Sequence, residues 1–228
     1  MLVCAGSNYR SHVAEMDDTG KVTSKATSFV KSPSAIIGSG QEIVIPEQLP
    51  DMVDFEGEIC VVFGRACHRV GVSDAMRYVG GYTILNDVSA RDSVPAMLAA
   101  TTPAEGQEAM LNMIMGKHLP TFAPVGPAIV TADEVSDPGK LHMVTRLNGV
   151  VMQDATTEDL VIDIPHLISQ MSQFYYFRPG DILSTGTPAG VGFGRKPPVF
   201  LHPGDFVTVE VAGIGTLENT VRASSTAA

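Results

Sequence analysis

The chain has 228 residues, 44% of them hydrophobic and 18% charged, which is typical of a globular protein with one sizeable domain and excludes a disordered chain. Its formal net charge of −10 argues against nucleic acid or an anionic membrane as a partner, because both require a basic face. The three cysteines lack zinc-site spacing, and no signal peptide or membrane-length apolar segment is recognisable, so we expect a cytoplasmic protein.

In chain order, hydrophobic periodicity and turn residues predict many short strands and few helices. We expect a strand from Leu2, a helix over 8–16, a mobile loop over 17–27, strands over 42–45, 54–63 and 80–88, a helix capped by Ser73, two short helices within 93–115, a hairpin over 144–152, a helix over 163–177, and strands over 182–185, 206–211 and 215–221. Because no regular strand-helix-strand alternation occurs, the pattern predicts a mixed, β-rich α+β fold in a single domain over 1–222, with a flexible tail at 223–228.

Two of these predictions depend on specific local signals. The dipeptide Asn148-Gly149 tolerates positive φ at both turn positions, so it predicts a tight hairpin turn. Asp163 is suited to cap a helix and Pro165 to stand in its first turn. Apolar residues then recur at helical spacing, which predicts an amphipathic helix with these side chains on one face: Leu167, Ile168, Met171 and Phe174.

The segment 54–58 carries acids at every second position, so an extended backbone would direct Asp54, Glu56 and Glu58 to one face. Apolar residues on both sides place these carboxylates at the edge of a core, where they need a cation. Asp87 ends another apolar strand and joins them if the two strands are neighbours. Glu56, Glu58 and Asp87 therefore predict an all-oxygen site for Mg²⁺ or Mn²⁺, with Asp54 left outside as a strand-start cap. The alternative is a solvated acidic face.

Three other features suggest a small-molecule site. His12 and Glu15 share one face of the predicted first helix, so the carboxylate would orient the imidazole as a general base; the alternative is a surface pair. Lys117 lies in a largely apolar stretch and would bind a substrate carboxylate or an oxyanion; the alternative is a lysine that extends to solvent. The glycine-rich segment 185–192 lacks a phosphate-loop ending but permits close backbone approach to a ligand, with Thr187 as hydroxyl donor.

Taken in order along nearly the whole chain, several motifs resemble the fumarylacetoacetate hydrolase family, in its branch of acylpyruvate hydrolases, 2-oxo acid decarboxylases and 2-hydroxyhepta-2,4-diene-1,7-dioate isomerases. The motifs are Gly6-Ser7-Asn8-Tyr9-Arg10 with His12 and Glu15, Asp54-Phe55-Glu56-Gly57-Glu58, Gly81-Tyr82-Thr83 with Asn86-Asp87-Val88-Ser89-Ala90-Arg91-Asp92, Pro179-Gly180-Asp181, and the segment from Thr185 to Gly192.

This resemblance implies a fold like the family's C-terminal domain, a mixed β-roll with a few short helices, assembled as a homodimer that binds Mg²⁺ or Mn²⁺ and a small anionic oxo acid. Carried over position by position, it assigns the metal to Glu56, Glu58 and Asp87, catalysis to His12, Glu15 and Lys117, and substrate binding to Arg10, Gly186 and Thr187.

The implied reaction is hydrolysis of a carbon-carbon bond in an acylpyruvate or fumarylpyruvate type of 2,4-dioxo acid, in which a metal stabilises the enolate that leaves and His12 with Glu15 activates water. The same site would also serve an oxaloacetate decarboxylase or an unsaturated-dioate isomerase or hydratase. A further alternative is a non-catalytic protein that binds a metal and an oxo acid.

The chain departs from the family pattern in two places. Family members that cleave carbon-carbon bonds often carry Gln three residues after the Arg of Ser-Ala-Arg-Asp, whereas this chain has Val94. The lysine motif reads Lys117-His118-Leu119-Pro120 in place of Lys-Ser-Phe-Asp, and the segment 93–116 before it is longer than usual. Both departures border the expected substrate pocket, so they bear on the substrate and not on the metal.

Overall fold

The computed structural model describes residues 1–16, 19, 21–22 and 24–224. Parts of the predicted mobile loop over 17–27 and of the predicted tail at 223–228 therefore lie outside the described residues. Ala223 ends the last strand and the amide of Ser224 donates to Ile45 O at 2.8 Å, so the first two residues of the predicted tail pair with the rest of the chain. No helix in the described part of the chain has the length and apolarity needed to cross a membrane.

The described residues form strands and helices that alternate without a regular pattern. The strands are β1 Leu2–Gly6, β2 Thr27–Lys31, β3 Ile36–Ile37, β4 Ile43–Ile45, β5 Val53–Asp54, β6 Gly57–Phe63, β7 Val79–Asn86, β8 Ser89–Ala90, β9 Ala123–Thr131, β10 His142–Leu147, β11 Val150–Thr156, β12 Ile182–Ser184, β13 Phe206–Val211 and β14 Gly215–Ala223. The α-helices are α1 Arg10–Met16, α2 Val94–Ala99, α3 Pro103–Met115 and α4 Ile164–Met171, with 3₁₀ turns at Pro33–Ala35, Val72–Tyr78, Pro138–Lys140 and Thr157–Asp159.

The strands of the described residues are arranged in two large sheets and one small one. The seven-stranded sheet has the order β2-β1-β12-β6-β7-β9-β3, the five-stranded sheet has the order β11-β10-β13-β14-β4, and β5 pairs with β8 alone. Buried side chains from β6, β7, β10, β13 and α4 form one apolar cluster, so the main core lies between the two large sheets and beneath α4. This arrangement confirms the β-rich α+β fold.

Several local predictions are confirmed. The turn between β10 and β11 has φ of 51° at Asn148 and 82° at Gly149, as a two-residue hairpin turn requires. The Asp163 side chain accepts the amide of His166 at 3.0 Å at the start of α4. The segment 93–115 forms the two helices α2 and α3, and Thr102 begins the second with a reciprocal capping box.

Two helix predictions are wrong in detail. The 3₁₀ turn Val72–Tyr78 follows Gly71, so Ser73 is inside it and caps nothing. Helix α4 ends at Met171, and Phe174 is 80% exposed instead of buried. The chain leaves the helix early because Phe177 forms a backbone bridge with Cys67 and stacks on another ring in the core.

Candidate active site

The acidic segment is two strands and not one. β5 ends at Asp54, β6 begins at Gly57, and the two belong to different sheets, so the prediction that three acids share one strand face is wrong. At the break, the Glu56 amide donates to the Asn86 side-chain oxygen at 3.0 Å, and the Asp87 amide donates to the Glu56 carbonyl at 2.8 Å. The break therefore places Glu56 next to Asp87. Asp54, Glu56 and Glu58 each have different hydrogen-bond partners.

Lys117 links two of these acids. Its Nζ lies 2.7 Å from Glu56 Oε2, 2.7 Å from Asp87 Oδ2 and 2.7 Å from Ser89 Oγ, and the side chain is nearly buried. The lysine lies two residues after the end of α3 at Met115, so the long segment before it positions the ammonium at the carboxylates. The alternative of a lysine extending to solvent is therefore wrong. Arg91 adds a second cation by donating to the other oxygen of Glu56.

Lys31 is a site residue that the sequence prediction missed. It ends β2, is fully buried, and its Nζ donates to Asp87 Oδ1, to Val88 O at 3.0 Å and to Phe122 O at 2.5 Å. Asp87 thus meets one lysine on each oxygen. The available signal was a lysine directly after the apolar pair Phe29-Val30 in a strand, since a buried ammonium requires partners of this kind.

Glu56 and Glu58 have opposite electrostatic environments. Burial raises the pKa of Glu56, but the charges of Lys117 and Arg91 outweigh burial and hold this pKa below its ordinary value. Burial, together with the negative charges of Asp87 and Glu56, raises the pKa of Glu58 well above its ordinary value. The one hydrogen bond to the Glu58 side chain from the described residues comes from the hydroxyl of Ser184.

A hard divalent cation fits this set of residues. Carboxylate oxygens of Glu58 and Asp87 lie within 4.8 Å of each other, and both side chains are buried. The donor atoms are charged oxygens, which Mg²⁺ and Mn²⁺ prefer, and Glu58 has no cationic partner among the described side chains. Glu56, Glu58 and Asp87 would hold such an ion. The donor atoms that already lie within 4.8 Å of one another among the described residues are those of Cys4, Glu58 and Asp87, and Glu56 is not part of that set.

Asp54 has another task in the structure. Its Oδ1 accepts the amides of Phe55 at 2.8 Å and Gly192 at 2.7 Å, and its Oδ2 accepts the amide of Phe193 at 3.1 Å and Arg91 Nε at 3.0 Å. Because these four donors bind its two oxygens, Asp54 holds the glycine-rich segment in place and orients Arg91. Its place outside the metal ligands stays a prediction.

The His12–Glu15 pair forms on α1. The two side chains lie 3.2 Å apart, from Nδ1 to Oε2, and Glu15 Oε1 accepts the amide of Gly190 at 2.9 Å. A Cβ at Gly194 would lie 2.4 Å from the Glu15 carboxyl carbon, so a glycine is needed for this close approach. His12 is near enough to Glu56 for its positive charge to help lower the Glu56 pKa. The pair therefore lies within electrostatic range of Glu56.

Gln153 joins the second sheet to the glycine-rich segment, and its orientation is determined by a neighbour. The Gly57 amide, which can only donate, lies 2.9 Å from one end of the side-chain amide, so that end is the oxygen. The other end is the NH₂, which donates to Thr187 Oγ1 at 2.8 Å and Pro188 O at 2.9 Å. Thr187 in turn donates its proton to Gly57 O at 2.9 Å.

The predicted substrate-binding residues occupy different places. Gly186 lies beside Ser184, to whose oxygen its amide donates at 3.2 Å, and its φ of 92° explains the glycine. Arg10 donates to Leu160 O at 2.5 Å and borders a separate cavity of about 600 Å³ whose lining includes none of the clustered carboxylates. The structure does not bring Arg10 to the cluster, so its role in substrate binding stays a prediction.

The sequence and the fold have a family counterpart. Residues 1–222 match the family model described as fumarylacetoacetate (FAA) hydrolase C-terminal. The chain therefore belongs to the fumarylacetoacetate hydrolase family, a family of enzymes, which confirms the predicted membership.

Known relatives share most of this chain. Oxaloacetate tautomerase YisK of Bacillus subtilis (strain 168) is 36% identical over 96% of this chain and 69% of its own length. The mitochondrial oxaloacetate tautomerase FAHD2B of Homo sapiens is 41% identical over 96% of this chain and 66% of its own length. The chain thus spans about two thirds of these relatives. The structure of maleylpyruvate hydrolase from Sphingobium sp. SYK-6, in complex with manganese(II) ion and pyruvate, matches with a TM-score of 0.77 and 31% identity, covering 98% of this chain and 70% of that one.

Proposed function

We propose that the protein is a divalent-metal-dependent tautomerase that interconverts the keto and enol forms of a short 2-oxo diacid of the oxaloacetate type. The observation that carries the proposal is the His12–Glu15 pair, which lies within electrostatic range of Glu56 in the carboxylate cluster. The names of the two curated relatives support this substrate class.

Tautomerisation moves one proton between the carbon beside the ketone and the ketone oxygen, and it consumes no water. Because Nδ1 of His12 is bonded to Glu15, Nε2 is the nitrogen that takes the proton from one atom and returns it to the other. The ammonium of Lys117 stabilises negative charge that develops on the substrate oxygen. An Mg²⁺ or Mn²⁺ ion held by Glu56, Glu58 and Asp87 would supply Lewis-acid polarisation of the ketone.

Hydrolysis of a carbon-carbon bond in an acylpyruvate or fumarylpyruvate is the second candidate function. The same His12–Glu15 pair would activate water for it, and the structural neighbour that holds pyruvate is a hydrolase. Val94 supports the tautomerase instead. It stands where carbon-carbon hydrolases of the family often carry Gln, and its apolar side chain is buried in the first turn of α2, so it offers no polar contact to a substrate.

A direct test follows the enol absorbance of oxaloacetate with purified protein and Mg²⁺ or Mn²⁺. We expect metal-dependent acceleration of the enol-keto exchange, loss of this activity with a chelator, and a decrease of about 10² to 10⁴-fold for His12→Ala, as for loss of a general base. His166→Ala is the matched control, because His166 pairs with Asp163 at the same sequence spacing but is exposed on another helix. This variant should retain the activity.

A substrate panel separates the alternatives. If acylpyruvates are cleaved to pyruvate while oxaloacetate exchange is not accelerated, the protein is a hydrolase and the tautomerase proposal fails. Release of CO₂ from oxaloacetate in step with enol consumption would identify a decarboxylase, and rearrangement of an unsaturated dioate an isomerase. Binding of metal and oxo acid without turnover of any compound would identify a non-catalytic binding protein.

Homodimeric assembly and a cytoplasmic location are proposals of a different kind, because they come from the family resemblance and the composition alone. Light scattering on the purified chain tests the first, with one species of twice the chain mass of 24.1 kDa as the expected result. Fractionation of the source cells tests the second.

A further inference from the structure

Thr121 has a backbone conformation that is unusual for its residue type. Its φ is 71°, in the left-handed region, which is sterically unfavourable for a β-branched side chain. Pro120 precedes it, and the amide of Phe122 donates to Leu119 O at 3.2 Å, so residues 119–122 form a turn of type II. The third position of such a turn favours glycine or asparagine. The chain therefore has a strained residue at a position that glycine would occupy without strain.

The hydroxyl of Thr121 forms a hydrogen bond that glycine could not form. The amide of Val44 donates to Thr121 Oγ1 at 2.9 Å. Val44 lies in β4, which is at the edge of the five-stranded sheet. The hydrogen bond thus attaches the turn to that sheet, and it offsets part of the cost of the unfavourable φ. Strained residues that are held by their surroundings in this way occur mainly at functional sites.

The segment that contains this turn contributes two groups to the carboxylate cluster. Phe122 is fully buried, and its carbonyl accepts from Lys31 Nζ at 2.5 Å. Lys117 precedes Thr121 by four residues, and its ammonium and that of Lys31 bind different oxygens of Asp87. The backbone of residues 117–122 therefore provides an acceptor for one lysine and carries the other lysine to the same carboxylate.

The other end of this segment is also attached to the rest of the chain. Gly116 O accepts the amide of Ala90 at 3.0 Å, and a Cβ at Gly116 would lie 2.7 Å from Ala90 O. Segment 116–122 is thus attached to β8 at one end and, through Thr121, to β4 at the other. Between the two attachments, the Lys117 ammonium lies 5.1 Å from the centre of the Phe29 ring, an attractive cation–π contact that depends on its position.

We propose that Thr121 is a positioning residue for Lys117, and that the strained turn is retained because its hydroxyl fixes the backbone that carries the catalytic ammonium. The inference rests on the proposed function, in which this ammonium stabilises negative charge on the substrate oxygen. Thr121 acts only through the lysine. Because that charge develops in the transition state, loss of the attachment should lower kcat and leave KM nearly unchanged.

Three variants separate the strain from the hydrogen bond. Thr121→Gly removes both, Thr121→Val removes only the hydroxyl, and Thr121→Ser retains the hydroxyl. In the enol-keto exchange of oxaloacetate with saturating Mn²⁺, we expect kcat to fall by about 10 to 10²-fold in the first two, as for a displaced catalytic group, and by less than about twofold in Thr121→Ser. The urea midpoint should fall in Thr121→Val but stay near the wild-type value in Thr121→Gly, because relief of strain offsets the lost hydrogen bond. A merely structural role would not lower kcat at unchanged stability.

Reductive methylation, mapped by mass spectrometry, reports on the position of Lys117 without any reaction of the enzyme. Lys117 is buried, whereas Lys140 is exposed and serves as the internal reference. Relative to Lys140, Lys117 should be methylated faster in Thr121→Gly and Thr121→Val than in the wild-type chain and Thr121→Ser. Asn148→Gly is the matched control, because it also replaces a residue with positive φ and deletes side-chain hydrogen bonds, but in the hairpin turn. It should change neither kcat nor the methylation of Lys117.

Three results would overturn the proposal. The first is a wild-type kcat in Thr121→Gly, and the second is methylation of Lys117 at the same rate in the wild-type chain, Thr121→Gly and Thr121→Val. The third is a loss in Thr121→Ser as large as in Thr121→Gly, which would exclude the hydroxyl as the cause. If the wild-type chain does not accelerate the exchange, the proposed function fails, while methylation still decides whether Thr121 positions Lys117. If Thr121→Gly does not fold, Thr121→Val compared with Thr121→Ser decides.

Discussion

Replacing Gln153 by Met removes a side-chain amide that joins the five-stranded sheet to the acidic strand and to the glycine-rich segment. Methionine has nearly the same length, so the change isolates the polar contacts. Three hydrogen bonds are lost, to Gly57 N, Thr187 Oγ1 and Pro188 O. At about 1 kcal/mol net each they account for about 3 kcal/mol, and the buried Gly57 amide left without a partner adds about 1 to 3 kcal/mol.

The apolar thioether of Met offsets part of this cost, by about 1 kcal/mol. We therefore expect the free energy of unfolding to fall by about 3 to 5 kcal/mol, which lowers the urea midpoint by about 1 to 2 M for a chain of this size. Equilibrium urea unfolding followed by circular dichroism measures it. Gln173→Met is the matched control, because the exposed Gln173 makes one hydrogen bond of 3.2 Å to Ser169 O, and it should change the stability by less than about 0.5 kcal/mol.

A double-mutant cycle tests the assigned orientation of the Gln153 amide. Thr187→Val removes the hydroxyl that accepts from Gln153, so the loss in Gln153→Met with Thr187→Val should be smaller than the sum of the single losses by at least about 0.5 kcal/mol. A loss below about 1 kcal/mol for Gln153→Met alone, or strict additivity in the cycle, would refute the reasoning that these hydrogen bonds hold the two segments together.

Three further changes have expected outcomes. Asp54→Asn places an NH₂ against backbone and guanidinium donors, so we expect a loss of about 2 to 3 kcal/mol in urea unfolding. The exposed control Asp74→Asn should leave the urea midpoint nearly unchanged, and an unchanged midpoint for Asp54→Asn would contradict the contacts of Asp54. Gly149→Ala should cost about 1 kcal/mol, because φ is 82° in the hairpin turn, whereas Gly71→Ala, with open space and no positive φ, should not; equal effects would dispute the turn. Burial raises the pKa of Cys67 to about 11, so at pH 8 this thiol stays protonated and should react with Ellman's reagent only on unfolding. The number of thiols that react rapidly at pH 8 should therefore be the same in the native wild-type chain and in native Cys67→Ser. A larger number in the wild-type chain would contradict this prediction.

Structures that depend only on a few neighbouring residues were predicted correctly from the sequence. Asn148-Gly149 forms the expected turn because both positions need positive φ, and nothing distant enters that requirement. Asp163 caps α4 for the same kind of reason, since the cap and the amide it accepts are three residues apart. Strand β13 has the predicted bounds 206–211, which alternate in burial along one sheet face.

Features that depend on distant partners were not predictable in this way. The strand break before Gly57 arises because the side chain of Asn86 takes the amide of Glu56, and the two residues are 30 positions apart. Lys31 is 56 positions from Asp87, so the apolar residues before it indicate that its ammonium needs a buried partner but not which carboxylate provides it. The sequence placed Glu56 and Asp87 together correctly, because both lie at the ends of apolar strands that pair, but the cations that separate the roles of Glu56 and Glu58 come from elsewhere in the chain.

The direction in which the Thr187 hydroxyl donates its proton determines which ligand atoms can bind to this oxygen. That proton is committed to Gly57 O, and Gln153 occupies one of the two lone pairs, so the oxygen offers a ligand a single acceptor position and no donor. The sequence predicts Thr187 as a hydroxyl donor to a ligand, whereas in the structure its oxygen offers a ligand only an acceptor position. A ligand atom that reaches Thr187 must bring its own hydrogen, which an enol hydroxyl does and a ketone oxygen does not. At this position Thr187 would thus form a hydrogen bond with the enol form of such a ligand and not with its keto form.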